Sequence, residues 1–193
     1  MFGFGRKKEQ LNKVRVAILV ADGVEQTQLD AAVKQLRGAG ADVYLVGRRP
    51  GKVQALRSLK QGDKIPLDVT LEDVHPASFG ALLILGGTVH ADRLRLDDRA
   101  LEFVRSFDRN GKPIAALGHG LWVLLSAGIL TGRTVTSWPG IQHDIRNAGA
   151  EWRDEPYVLD ENVLTGRTTN DLRAFTKQLN KHFTKLAQEI PSV

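Results

Sequence analysis

Three short segments carry the residue types from which a reactive site could be built. Gly118-His119-Gly120 follows the apolar run at residues 114–117 directly, Gly86-Gly87 follows residues 81–85, and residues 22–25, ending in Glu25, follow residues 14–20. Glycines in such places let the backbone turn sharply and approach a ligand, and their adjacent N–H groups can hold an anion or a developing oxyanion. A strand that enters a helix through one sharp turn has the shape of a nucleophile elbow, and residue 118 occupies that turn. A glycine there offers no nucleophile. His119 reads either as a proton carrier at a helix start, where the dipole disfavours its charged form, or as a packed, hydrogen-bonded histidine. Glu25 is either a general base, acting with His119 through a held water, or a solvated loop carboxylate.

The elements that must position these residues follow from hydrophobic periodicity. Residues 14–20 (VRVAILV) form an almost unbroken apolar run rich in β-branched side chains, as a strand buried on both faces requires. Thr27 offers an N-cap with Asp30 in capping-box spacing, and Leu29, Ala32, Val33 and Leu36 share one helical face that ends at Gly38 and Gly40. Residues 42–46 (DVYLV) complete a βαβ unit, and residues 48–68 read as short edge strands with loops. After the strand at 81–85, Asp97 or Asp98 caps a helix burying Ala100, Phe103, Val104 and Phe107, stopped by Asn110-Gly111 and Pro113. The strand at 114–117 leads into a central helix at 121–127. Strands at 133–136 and 157–164 flank a short helix near 141–148. A last helix from about Asp171 buries Leu172, Phe175, Leu179, Phe183 and Leu186. This alternation predicts an α/β three-layer sandwich with a mostly parallel central sheet, in which ligands bind beyond the carboxyl ends of the strands. All three segments lie there.

Composition narrows the function classes. The 193 residues suit one domain, expected over 14–190 behind a basic tail at 1–13, and 42% hydrophobic with 25% charged residues argues against disorder. The apolar runs fall short of the roughly 18 residues of a membrane span, and no secretory signal is legible, so a cytoplasmic location is expected. The chain has no cysteine, which excludes disulfides, thiolate metal sites, iron–sulfur clusters and thiol nucleophiles. His75, His90, His143 and His182 are scattered without ligand spacing, and neither metal nor cofactor is expected. The net charge of +5 is local: Arg6, Lys7, Lys8, Lys13 and Arg15 at the start, six basic residues within 48–64, and a row of Arg173, Lys177, Lys181 and Lys185 four residues apart. Without interleaved aromatic residues that row reads as a solvated helix face, which disfavours nucleic acid as partner.

The string AALGHGLWVLLSAGILTGRTVTSWPGIQHDIRNAGAEW, together with DGVEQTQLD at 22–30 and LILGG at 83–87, resembles the PfpI-like intracellular protease family of the ThiJ/PfpI superfamily. The likeness runs from about residue 14 to residue 183 and implies a class I glutamine amidotransferase-like, flavodoxin-like fold. It also implies a cysteine nucleophile at position 118, a contacting glutamate at Glu25, and peptidase, deglycase or glyoxalase-like chemistry carried on that cysteine. A homodimer or larger ring is implied too, with Asp92 near the place where such oligomers supply an acid from a neighbouring subunit. Gly118, Leu121 and Leu85 depart from the family's cysteine and two prolines. The leading expectation is therefore a degenerate, stress-associated or regulatory oligomer. Its remnant site comprises Glu25, Gly118 and His119, with Gly86, Gly87, Gly120 and Asp92 as binding residues for a small polar or anionic ligand. The alternatives are a hydrolase or glyoxalase/deglycase-like enzyme using water between Glu25 and His119, and a nucleic-acid or anionic-surface binder.

Overall fold

The computed structural model describes residues 11–189, with side chains as far as Lys185. The basic residues Arg6, Lys7 and Lys8 and the expected packing of Leu186 lie outside the described residues. In chain order the elements are β1 (Arg15–Val20), α1 (Gln26–Gly38), β2 (Asp42–Gly47), β3 (Lys52–Arg57), β4 (Lys60–Pro66), β5 (Val69–Thr70), β6 (Ala81–Ile84), α2 (Thr88–Arg95) and α3 (Asp98–Arg109). Then follow β7 (Ile114–Leu117), α4 (Leu121–Ala127), β8 (Thr134–Val135), α5 (Gln142–Asn147), β9 (Glu151–Trp152), β10 (Tyr157–Asp160), β11 (Val163–Gly166) and α6 (Leu172–Glu189). Short 3₁₀ turns at Gly118–Gly120 and Thr169–Asp171 lead into α4 and α6.

A seven-stranded sheet runs β10-β11-β7-β6-β1-β2-β5, parallel throughout except for β10 on its edge. Because side chains alternate across a strand, β1 sends Val16, Ile18 and Val20 to the face covered by α1 and α6. Its Ala17 and Leu19 go to the face covered by α2, α3, α4 and α5. Helices on both faces make this a three-layer α/β fold of the expected flavodoxin-like class. Among the described residues no helix is long and apolar enough to cross a membrane.

Four local expectations need correction. Glu25, not Thr27, caps α1: its backbone is still extended and its carboxylate accepts from Thr27 N, while Asp30 stays exposed. Residues 157–164 are not one strand, because Glu161 at φ +49 reverses the chain and β10 and β11 pair antiparallel around it. The basic segment forms a two-stranded hairpin of its own, β3 with β4, and β8 pairs with β9 outside the main sheet. Helix α2 was not foreseen. It starts from Gly87 without a side-chain cap, and its buried face consists of His90, Ala91 and Leu94.

Candidate functional site at the carboxyl edge

Strands β1, β6 and β7 are neighbours, so the residues that follow them meet along one edge of the sheet. Gly118 is buried, with φ +60, and a Cβ built there would touch only Arg167 O, at 3.7 Å, an ordinary contact. The backbone thus keeps the left-handed turn of an elbow, and room remains above it for a side chain. Gly120 differs: a Cβ there would lie 2.7 Å from Leu85 O and 2.8 Å from Ile84 O, so its missing side chain lets the turn press against the end of β6.

Gly86 and Gly87 are committed to internal contacts. Gly86 N donates to Gln28 Oε1 at 2.7 Å, Gln28 Nε2 donates to Thr169 Oγ1 at 2.9 Å, and Gly86 O accepts from Glu25 N at 3.0 Å. Gly87, at φ +114, starts α2, and a Cβ there would stand 2.1 Å from Gly23 O. Gln28 is thus the residue missed in the sequence. Buried in the first turn of α1, it ties that helix to the β6 turn and to the turn before α6. A signal existed, because residue 28 shares the helical stripe of Ala32 and Leu36 and a polar side chain on a buried stripe needs partners.

Glu25 is half-buried, and its carboxylate is occupied, accepting from Ser58 N at 2.9 Å and Thr27 N at 3.4 Å. It therefore anchors the tip of the β3–β4 hairpin, where Ser58 has φ +56. His119 stacks on Trp138 (centroids 5.7 Å apart, 23°) and meets Trp122 edge-on at 5.2 Å, with Nε2 3.5 Å from Thr88 Oγ1. Partial burial pushes its pKa below the ordinary value, which keeps the ring neutral at neutral pH. Among the described residues no carboxylate hydrogen-bonds this ring. Trp122 is fixed in turn by Asp144, which accepts from its Nε1 at 2.8 Å, and by Arg95 over its face. Neither tryptophan was among the expected site residues. Asp92, expected in a loop, lies on the exposed side of α2. Among the described residues no three His, Asp or Glu side chains are grouped to hold a metal ion.

This arrangement joins a turn shaped for a nucleophile to a neutral, aromatic-walled histidine and a glutamate held by backbone donors. The wider similarities agree with it. Residues 14–182 match the DJ-1/PfpI family. Protein/nucleic acid deglycase 2 of Escherichia coli K12 is 36% identical over 166 residues, covering 85% of this chain and 94% of that one. Deglycase PfpI of Pyrococcus furiosus is 34% identical over 168 residues, 87% and 98% of the two chains. The crystal structure of a two-domain protein from Anabaena variabilis, with DJ-1/ThiJ/PfpI-like and ferritin-like domains, superimposes with a TM-score of 0.83 at 31% identity over 93% of this chain and 50% of that one. On its sequence, its sheet order and its elbow, the chain belongs to the DJ-1/PfpI family.

Proposed function

We propose that this chain is a family member without thiol chemistry, whose elbow pocket, lined by Glu25, Gly118 and His119, holds a small polar or anionic ligand within a regulatory or stress-associated cytoplasmic oligomer. The observation that carries this reading is Gly118 itself. It keeps the φ of +60 and the open space a reactive side chain would use, in a chain that contains no cysteine. Relatives named deglycases point to small carbonyl compounds as the chemistry the pocket once met. A glycine can form no covalent adduct with them, and acid–base help alone typically contributes only about 10² to 10⁴-fold. The exposed side chains of Val89, Leu96 and Trp138 support self-association.

The deglycase or glyoxalase-like alternative has one observation in its favour, the neutral His119 beside the turn, which could activate water with Glu25. Turnover of methylglyoxal decides between the two. The expected result is no consumption above the buffer rate by the wild type, and alkylation and turnover gained in Gly118→Cys, which would hold the chain's sole thiol. Wild-type turnover that disappears in Glu25→Gln or His119→Ala would overturn the proposal in favour of the enzyme. Sedimentation near 21.2 kDa would remove the oligomer from it.

A further inference from the structure

The basic run at 48–64 and Arg93 meet in a place the elbow does not use. A cleft of about 380 Å³ opens at the carboxyl ends of β1 and β2, which are adjacent in the sheet. Its floor carries the apolar side chain of Leu67 and the edge of Val53, above the fully buried Val20. Its rim carries Arg48, Arg49, Lys52 and Arg93, against the single carboxylate of Asp22. Its volume falls in the usual range for small-ligand sites, roughly 300–1,000 Å³, and it lies beyond the carboxyl ends of two parallel strands, next to the point between β1 and β6 where the strand order reverses.

The charges are incompletely neutralised. Arg48 is committed to Asp97 at 2.5 Å, and Arg93 stands 3.7 Å from Asp22, whose other oxygen accepts from Gln54 N at 2.8 Å. Among the described residues, Arg49 and Lys52 have no carboxylate within ion-pairing distance. The turn that presents them is constrained. Pro50 restricts Arg49 to extended backbone, Gly51 turns at φ +116, and Leu67 N donates to Gly51 O at 2.9 Å, pinning the turn to the chain beyond β4. Two cations without an ion pair on a held turn, lining the same cleft as Arg93, match a ligand with a doubly charged head and a short carbon skeleton.

We propose that this cleft binds a small phosphate monoester, with Arg49, Lys52 and Arg93 on the phosphate and Leu67, with the edge of Val53, against the carbon chain. The site is separate from the elbow and does not depend on what Gly118 does. Phosphate chemistry is also offered by nucleic acid, and the test distinguishes the two sources.

Calorimetric titration at low ionic strength would use glycerol 3-phosphate, inorganic phosphate, glycerol and a short single-stranded oligonucleotide as probes. The expected result is saturable binding of glycerol 3-phosphate, tighter than inorganic phosphate, none of glycerol, and a loss of at least about tenfold in the double variant Arg49→Ala, Lys52→Ala. Both side chains are exposed, so the thermal midpoint should not move; should the pair nonetheless unfold the protein, Arg49→Glu alone carries the same expectation. Failure of either phosphate probe to saturate, equal affinity in the variant, or inorganic phosphate binding as tightly as the monoester would overturn the proposal. Oligonucleotide binding tighter than glycerol 3-phosphate, lost on changing Lys177 and Lys181 in α6, would overturn it in favour of a nucleic-acid surface.

Discussion

Gly87 and Gly118 stand just beyond neighbouring strands, β6 and β7, and both have positive φ, +114 and +60. A side chain at Gly87 would drive into Gly23 O at 2.1 Å, whereas one at Gly118 would meet nothing closer than 3.7 Å. The first glycine is required by the packing of one backbone on another. The second is not required by packing at all, and its φ is one that a non-glycine residue can adopt at moderate cost. Two glycines that look alike in sequence therefore report different things: one a backbone contact on which the fold depends, the other a turn whose packing would accept a Cβ.

The comparison breaks most readily at Gly87. Gly87→Ala should lower unfolding free energy by more than about 3 kcal/mol, since strain and a backbone clash add. Denaturant titration would show it, and a loss no larger than that of Gly118→Ala would erase the distinction. Next in size is the acid response of the helix that Gly87 starts. Burial holds His90 neutral, pushing its pKa down from 6.5 to about 4. The unfolded chain accepts a proton there that the folded chain refuses, so this contribution is complete above pH 6.5 and is withdrawn as pH falls toward 4. The loss should be about 2–3 kcal/mol over that window. His90→Gln should flatten the slope of stability against pH, with His119 and His182, also pushed down by burial, and the lowered carboxyl of Asp171 supplying the remainder. An unchanged slope would mean that His90 is not the group responsible.

Gly118→Ala is expected to cost only about 1 kcal/mol, the balance of left-handed strain against reduced freedom of the unfolded chain. A loss comparable to Gly87→Ala would show that the space above the elbow is not available. The smallest effect concerns the wall of that space. Trp138 stacks on His119, and Trp138→Ala should uncover the ring and return its pKa toward the ordinary value, read by NMR titration. A pKa that stays in place or falls would assign the burial to Trp122 and the turn instead.

The buried strands were legible because a strand covered on both faces must be apolar, as β6 and β7 are throughout and β1 and β2 are beyond their first residues, Arg15 and Asp42. That an aspartate at 97 or 98 caps α3 was legible for the same kind of reason: a short acceptor before an amphipathic run has one economical use, and it is Asp97 whose carboxylate takes Arg99 N and Ala100 N. What stayed hidden was polar and tertiary. Helix α2 is entered through a glycine whose conformation is imposed by Gly23, a contact that no local pattern encodes, and one of its core positions is a histidine bonded to Leu19 O. At the carboxyl edge, the meeting of Glu25, the glycine pair and the elbow follows from which strands lead into them. Gln28 and the two tryptophans around His119 follow only from packing across elements. The Gly86 N–H, counted in the sequence as a donor for ligands, is consumed by that Gln28 bond.

The freedom of the Cβ position at Gly118 has a meaning in genetic terms as well. Where a glycine codon ends in a pyrimidine, a change of its first base alone makes it a cysteine codon. At most positions with φ above zero such a change is removed by misfolding before it can be tested for anything else. Here no neighbour has closed over the turn, the nearest atom being a backbone oxygen at 3.7 Å. With such a codon, a single base change would thus place a thiol at the elbow, for as long as Arg167 and its neighbours leave the Cβ position open.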